Sequence, residues 1–214
     1  MNQDLRSYYN ERANEYDNVY LIPEEQPDLA RATALFRELF FQKTVLEIAC
    51  GTGYWTKQIA SAATSVRATD INESVIDIAK KRNDSPNISF EVADMYELLP
   101  EKKYDALFGG FIWSHILLQD LDQFLGQMNS FLKPGGMLVF IDSKQVQGRA
   151  HDSKSITRTD EQGNTYQSRS LENGTTHLVL KNFPGKEFLA LKLKKWRTDI
   201  DYIDLEHYWI VVAK

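Results

Sequence analysis

Residues 45–55 read VLEIACGTGYW, an apolar run that ends in a glycine turn. The segment TVLEIA (44–49) is short and mostly apolar, the pattern of a strand buried on both faces of a sheet. A helix is expected to follow from Tyr54 to Ala62. Between them, Gly51 and Gly53 let the backbone turn tightly and let a ligand approach it closely. In an open α/β sheet such a turn lies at the carboxyl edge of the strands, where ligands bind. The dinucleotide fingerprint G-x-G-x-x-G is not met: Ala49 stands at the first glycine position, and bulky Trp55 follows where a third glycine would pack the helix. A phosphate loop is excluded too, since no Gly-Lys-Ser/Thr follows.

The alternation continues outward. SVRATD (65–70) reads as a strand ending in an acid, ESVIDIAKKRN (73–83) as a helix, and ISFEVAD (88–94) as a strand ending in a second acid. YDALFGGF (104–111) and MLVFID (137–142) read as buried strands around a helix at 121–136, stopped by Lys-Pro-Gly-Gly. Upstream, 5–20 and 28–40 look helical around a break at IPEEQP. Downstream, 165–183 resembles a hairpin turning at Glu172-Asn173-Gly174, Pro184 opens a helix, and 196–204 and 207–214 close the sheet as two antiparallel strands. The expected fold is α/β: a Rossmann-like, seven-stranded, mostly parallel sheet with an antiparallel last strand, helices on both faces, and a β-hairpin insertion after the fifth strand.

A length of 214 residues suits a single domain, 1–214. It divides into a helical cap (1–40), a ligand-binding core (44–143), an insertion (144–183) and a closing helix with strands (184–214). Net charge is −5, so counterion release from nucleic acid would contribute little to binding. The one cysteine, Cys50, gives neither a disulfide framework nor a zinc cluster. No window approaches the ~18 apolar residues of a membrane span. The four histidines are scattered without metal-ligand spacing. The expectation is a cytoplasmic monomer or homodimer with no metal, membrane or nucleic-acid partner.

VLEIACGTG, Asp70 closing the second strand, Asp94-Met95 closing the third and LKPGG before the fifth together resemble the class I S-adenosylmethionine-dependent methyltransferases, in particular the small-molecule group that includes quinone-biosynthesis enzymes. The resemblance implies S-adenosylmethionine as cofactor and S-adenosylhomocysteine as product. A carboxylate at Asp70 accepts two hydrogen bonds, which suits a ribose diol; capping the next helix is its alternative role. Asp94 and the Met95 backbone would meet the adenine edge, with Ile71 and Met95 against its faces. Ala49, Gly51 and Gly53 would form the turn beside the methionine part, and Glu47 would orient that turn. Phe111 would lie beside the sulfonium. Tyr16, in the segment YYNERANEYDNVY (8–20), would cover the cofactor and offer cation–π attraction. Arg12 or Arg31 would face the cofactor carboxylate.

His115 is the candidate general base, because it follows the fourth strand and histidine titrates near neutrality. The insertion is the expected specificity element, with Trp113, Tyr166 and Arg169 toward a small-molecule acceptor. Arg149, Arg158 and Arg169 would suit an anionic one. Gly-Gly-Phe-Ile after the fourth strand departs from the motif of nucleic-acid amine methylation, and Cys50 lies inside the turn, where it cannot attack a pyrimidine. The expected reaction is methyl transfer to an O, N or C atom of a small molecule. Protein or tRNA methylation, or a non-catalytic module of the same fold, are the alternatives.

Overall fold

The structure, a computed structural model, describes residues 3–13, 15–145, 156–171 and 174–214. The elements of the core are β1 (Thr44–Ile48), α3 (Tyr54–Ala60), β2 (Ser65–Asp70), α4 (Glu73–Arg82), β3 (Ile88–Val92), β4 (Tyr104–Gly110), α5 (Leu121–Ser130) and β5 (Leu132–Ser143). Before them come α1 (Gln3–Glu11), a 3₁₀ turn over Tyr16–Tyr20 and α2 (Gln26–Leu39). After them come β6 (Ile156–Thr159), β7 (Thr165–Ser170), β8 (Thr176–Leu180), α6 (Lys186–Leu193), β9 (Ile200–Asp204) and β10 (Tyr208–Ala213).

Among the described residues these strands form a seven-stranded sheet in the order β3-β2-β1-β4-β5-β10-β9 and a separate three-stranded sheet β6-β7-β8. β1 to β5 run parallel, and β10 is antiparallel to both its neighbours. The order reverses at β1, where β2 and β4 lie on opposite sides of it, so a crevice opens beyond the carboxyl ends of these strands.

The apolar runs of β1, β4, β5 and β10 follow from burial on both faces. Val45, Phe108, Val139 and Ile210 join one core with Phe36 of α2 and Trp55 and Ile59 of α3. Leu46, Leu107, Leu138 and Trp209 join the opposite core with Phe124 of α5 and Leu189 of α6. Period-two alternation thus divides each strand between two helical layers.

Three expectations change in detail. The helix foreseen at 121–136 ends at Ser130, and Lys-Pro-Gly-Gly lies within β5, where the ladder slips between Tyr104 and Ala106. The foreseen hairpin is the β7–β8 pair, but β6 joins it to make a small sheet. The turn foreseen at Glu172-Asn173 lies outside the described residues. The segment foreseen as helical over 5–20 is not one helix either: α1 stops at Glu11 and the chain resumes as a 3₁₀ turn at Tyr16.

Candidate active site

Two cavities meet beneath the cap. The first is lined by Ala49 and Gly51 of the glycine turn, Asp70 ending β2 with Ile71 and Asn72 after it, Val75 of α4, Ala93 and Met95 after β3, and Gly110 ending β4 with Phe111 and Ile112 after it. The second is lined by Arg12, Val19 and Ile22 of the cap, Ser143 ending β5, Arg169 of β7, Lys181 after β8, and Tyr208 of β10. Tyr9, Tyr16, Phe111 and His115 line both.

The glycine turn explains the first cavity's floor. Ala49, Gly51 and Gly53 have φ of +50°, +55° and +81°. A side chain at Gly51 would meet the Tyr16 ring at 3.2 Å, so the bare backbone lets the tyrosine lie directly on the turn. The missing third glycine has a counterpart across the sheet: a Cβ on Gly110 would meet the Trp55 ring at 2.8 Å, so β4 makes room for the bulky helix residue. Phe111 is also left-handed, with φ of +57°. Two non-glycine residues in this sparse region therefore border one cavity, and such strain concentrates at working sites.

Asp70 is buried at 8% exposure. Its carboxylate accepts the Gly51 N–H at 3.0 Å and the Asn72 N–H at 2.9 Å. One N–H on each oxygen leaves acceptor capacity on both. Burial raises its pKa, against the pull of those N–H donors. Beside it, Ile71, Val75 and Met95 supply an apolar slot. An acid beside an apolar slot suits a nucleoside, with hydroxyls at one end and a flat base at the other.

Asp94 is placed differently from its foreseen role. Its Oδ1 accepts the Tyr96 N–H at 2.9 Å, capping the turn, and it borders a shallow outer depression with Arg67 and Glu91. Its neighbours Ala93 and Met95 line the cavity instead. Gly53 shapes the turn without lining the cavity, and Glu47 lies under it at 1% exposure with Oε2 unpartnered. Burial pushes the Glu47 carboxyl up to about 8, despite the Thr56 hydroxyl.

The cap is tied to this floor. Thr52 of the turn and Arg82 of α4 both donate to Asp17, and Ser74 donates to Asn10 at 2.8 Å. Tyr9, Tyr16 and Tyr20 form a chain of ring contacts at 5.8 and 6.4 Å although no single helix carries them. Arg31 is exposed on α2, away from both cavities, whereas Arg12 is buried in the second.

His115 ends a 3₁₀ turn after β4. Its Nδ1 lies 2.5 Å from the Leu180 carbonyl, which can only accept, so Nδ1 carries the proton. Its Nε2 is then bare and accepts the Tyr9 hydroxyl at 2.6 Å. Burial, reinforced by the charges of Lys181 and Arg169 and opposed by Asp142 and the Leu180 hydrogen bond, lowers its pKa to about 3. Burial raises the Tyr9 phenol to about 12. A proton leaving an acceptor would reach His115 only by way of the Tyr9 hydroxyl.

The foreseen acceptor residues separate. Arg169 is in the second cavity at 6% exposure and donates to Gln167 at 2.9 Å. Trp113 is not at a cavity wall: it starts the 3₁₀ turn after β4 and is core, packed on Phe140 and Trp209, while Phe111 and Ile112 line the cavity. Tyr166 lines a third hollow beyond His115, where its hydroxyl donates to Asp160 at 3.0 Å and exposed Arg158 stacks at 5.5 Å. Arg149 lies outside the described residues. Lys181 escaped the sequence reading, because a lysine after an alternating strand looks like any solvated strand end. In the fold it is buried and paired with Asp142 at 2.8 Å, also donating to Ser114. Among the described residues, no group of three or more metal-ligating side chains occurs. Nor is any helix among them long and apolar enough to cross a membrane.

A family model described as a methyltransferase domain matches residues 45–136. The chain is 30% identical over 137 residues to malonyl-[acyl-carrier protein] O-methyltransferase 2 of Ilyobacter polytropus, covering 62% of this chain and 51% of the relative. It is 27% identical over 139 residues to demethylmenaquinone methyltransferase of Tropheryma whipplei, covering 64% and 57%. The chain spans about half the length of the curated malonyl-[acyl-carrier protein] relatives it matches. A DhpI–SAH complex superposes with a TM-score of 0.82 at 23% identity, over 99% of this chain and 95% of that one. A DhpI–SAM–HEP complex gives 0.80 at 24%, over 100% and 99%. That likeness establishes a shared fold along the whole chain. Within that fold, the ligand-binding core at residues 45–136 carries the likeness to a methyltransferase domain.

Proposed function

We propose that the protein transfers a methyl group from S-adenosylmethionine to an O, N or C atom of a small-molecule acceptor. The observation that carries this reading is the pair of cavities joined through Tyr9, Tyr16, Phe111 and His115. One cavity has the acid and apolar slot of a nucleoside site, and the other is a separate chamber for a second reactant. Asp70 would hold the ribose hydroxyls, and Ile71, Val75 and Met95 the base. Gly51 and Ala49 would pass beside the amino-acid part. When bound, the cofactor supplies an electrophilic methyl group on a sulfonium. Tyr16 and Phe111 present aromatic surface at the junction, where a cation is attracted to ring faces.

The chain's own contribution is orientation. Aligning two reactants across a fixed junction supplies about 7–11 kcal/mol. The cap and insertion cover that junction and keep water from it. The second chamber, enclosed by side chains from the cap and the β7–β8 pair, favours a small acceptor over a protein or RNA surface. The malonyl-carrier and demethylmenaquinone relatives, by their names, act on non-nucleic-acid acceptors.

The test is calorimetric titration with S-adenosylhomocysteine, followed by a metabolite library screened for S-adenosylhomocysteine release. Binding with turnover of at least one compound is expected. Failure to bind at millimolar concentration rejects the cofactor assignment, and binding without any turnover favours a non-catalytic module.

A further inference from the structure

We propose that the hollow beyond His115 is a binding site for an organic ammonium ion, separate from the two cavities beneath the cap. The proposal goes beyond the methyltransferase reading and does not depend on it.

Three aromatic rings from three parts of the chain border this hollow: Tyr96 after β3, Phe124 of α5 and Tyr166 of β7. Tyr96 and Phe124 meet edge-on, with ring centres 6.2 Å apart. Gln127 of α5 donates to the Tyr96 carbonyl at 3.0 Å and ties that segment to the helix. Tyr166 is held by the bond from its hydroxyl to Asp160. Its ring already carries one cation, the Arg158 guanidinium at 5.5 Å. Aromatic rings attract cations, the more so where water is partly excluded.

The sign of the local charge agrees. Asp120 is the one acid among the described residues lining the hollow, and no lysine or arginine is among them. It stands at the N-cap of α5 yet makes no side-chain cap bond. Among the described residues its exposed carboxylate has no hydrogen-bonded or ion-paired partner. The dipole of α5 opposes it with about half a positive charge, which a full carboxylate outweighs. Burial pushes the Tyr96 phenol up to about 12, with Asp120 and Asp94 adding to the rise. Burial raises the Tyr166 phenol as well; Asp160 adds to that, and Arg158 opposes it without reversing it. Both tyrosine hydroxyls therefore lie in a net negative field. Across the His115 wall, Lys181 is paired with Asp142 at 2.8 Å.

His115 lines the hollow and both cavities. Its Nδ1 donates to Leu180 and its Nε2 accepts from Tyr9, so the ring is a fixed partition and not a passage. A ligand in the hollow stays on the far side of that partition from the junction and is not methylated. A lone carboxylate beside aromatic rings in an open hollow suits a tertiary or quaternary ammonium, the kind of cation that aromatic cages recognise.

The experiment is calorimetric titration of the whole protein with choline and with dimethylbutanol, its uncharged isostere, with and without saturating S-adenosylhomocysteine. Choline should bind at millimolar concentration, about fivefold or more tightly than the alcohol. Asp120→Asn and Tyr96→Leu should each weaken choline about threefold or more, whereas Tyr96→Phe, which keeps the ring, should stay within about twofold of the parent. The choline–alcohol contrast in the parent stands even where a variant fails to fold. Dimethylaminoethanol, incubated with S-adenosylmethionine, should bind without releasing S-adenosylhomocysteine. No choline binding, equal binding of the alcohol, unchanged choline affinity in folded Asp120→Asn and Tyr96→Leu, or methylation of dimethylaminoethanol would each overturn the proposal. A parent that binds S-adenosylhomocysteine but not choline defeats this proposal alone. A parent that binds choline but not S-adenosylhomocysteine supports it and defeats the methyltransferase reading.

Discussion

Asp70 shows how much one carboxylate can do at the end of a strand. It accepts an N–H from the glycine turn and another from the start of α4, so it holds the two segments that border the first cavity. Capping and ligand binding were competing readings of this residue in the sequence; the fold allows both, because each oxygen has a second lone pair. Asp70→Asn should weaken S-adenosylhomocysteine binding about tenfold or more in calorimetry, since hydrogen bonds to a charged group are worth ~1.5–3 kcal/mol each and the amide NH₂ would face a donor. Glu47 contributes a pH dependence. An ordinary glutamate ionises near 4.5, and burial holds this one protonated to about 8. The folded chain then binds more protons than the unfolded chain between those values, so this residue makes stability fall as pH rises through that window. Glu47→Gln removes the effect. Its Tm relative to the parent should rise from pH 5 to pH 8, and a difference that stays constant across that range would mean the residue is ionised in the fold.

Among the elements, the strands were the most legible, because burial on both faces writes long apolar runs into β1, β4, β5 and β10. Helix ends were less so: Lys-Pro-Gly-Gly reads as a helix stop, yet the chain enters β5 at Leu132, before the proline, and slips out of register there. The insertion was legible as a hairpin but not as a docked one. The Lys181–Asp142 pair helps dock it, joining the end of β8 to the end of β5 with Asp142 fully buried, beside hydrogen bonds from Asn182 to Ser114 and Ile116. Burial alone would raise the Asp142 pKa; the Lys181 charge outweighs it and holds it below its ordinary value. Lys181→Met should cost ~3–5 kcal/mol in denaturant unfolding, because it strands a buried charge. Adding Asp142→Asn should recover part of that loss, and a double variant no more stable than the single one would show that the charge is not the cause.

At the scale of the whole molecule, the cap and the small sheet close over the carboxyl edge from two sides. Tyr9 joins them through His115, and Asp17 joins the cap to the glycine turn and α4. A ligand in the first cavity would touch Tyr9 and Tyr16 of the cap as well as the core. Hydrogen exchange should therefore slow most in residues 3–20 when S-adenosylhomocysteine is added, with little change in β5 and β10. Uniform protection, or none in the cap, would indicate that the cap does not cover the ligand.

Local chemistry was enough to read the sheet, the glycine turn and Asp70, because hydrophobic period and backbone freedom act between near neighbours in the chain. It was also enough to raise an anionic acceptor, but with Arg149 and Arg158 as partners for Arg169. Only the tertiary structure could bring Arg12 and Lys181 beside Arg169 at one cavity, send Trp113 into the core, and turn His115 from a free base into the acceptor of the Tyr9 hydroxyl. Those placements depend on residues far apart in the chain meeting in the fold, and on the burial that follows. Charge and pKa respond to that burial, and no short stretch of sequence records it.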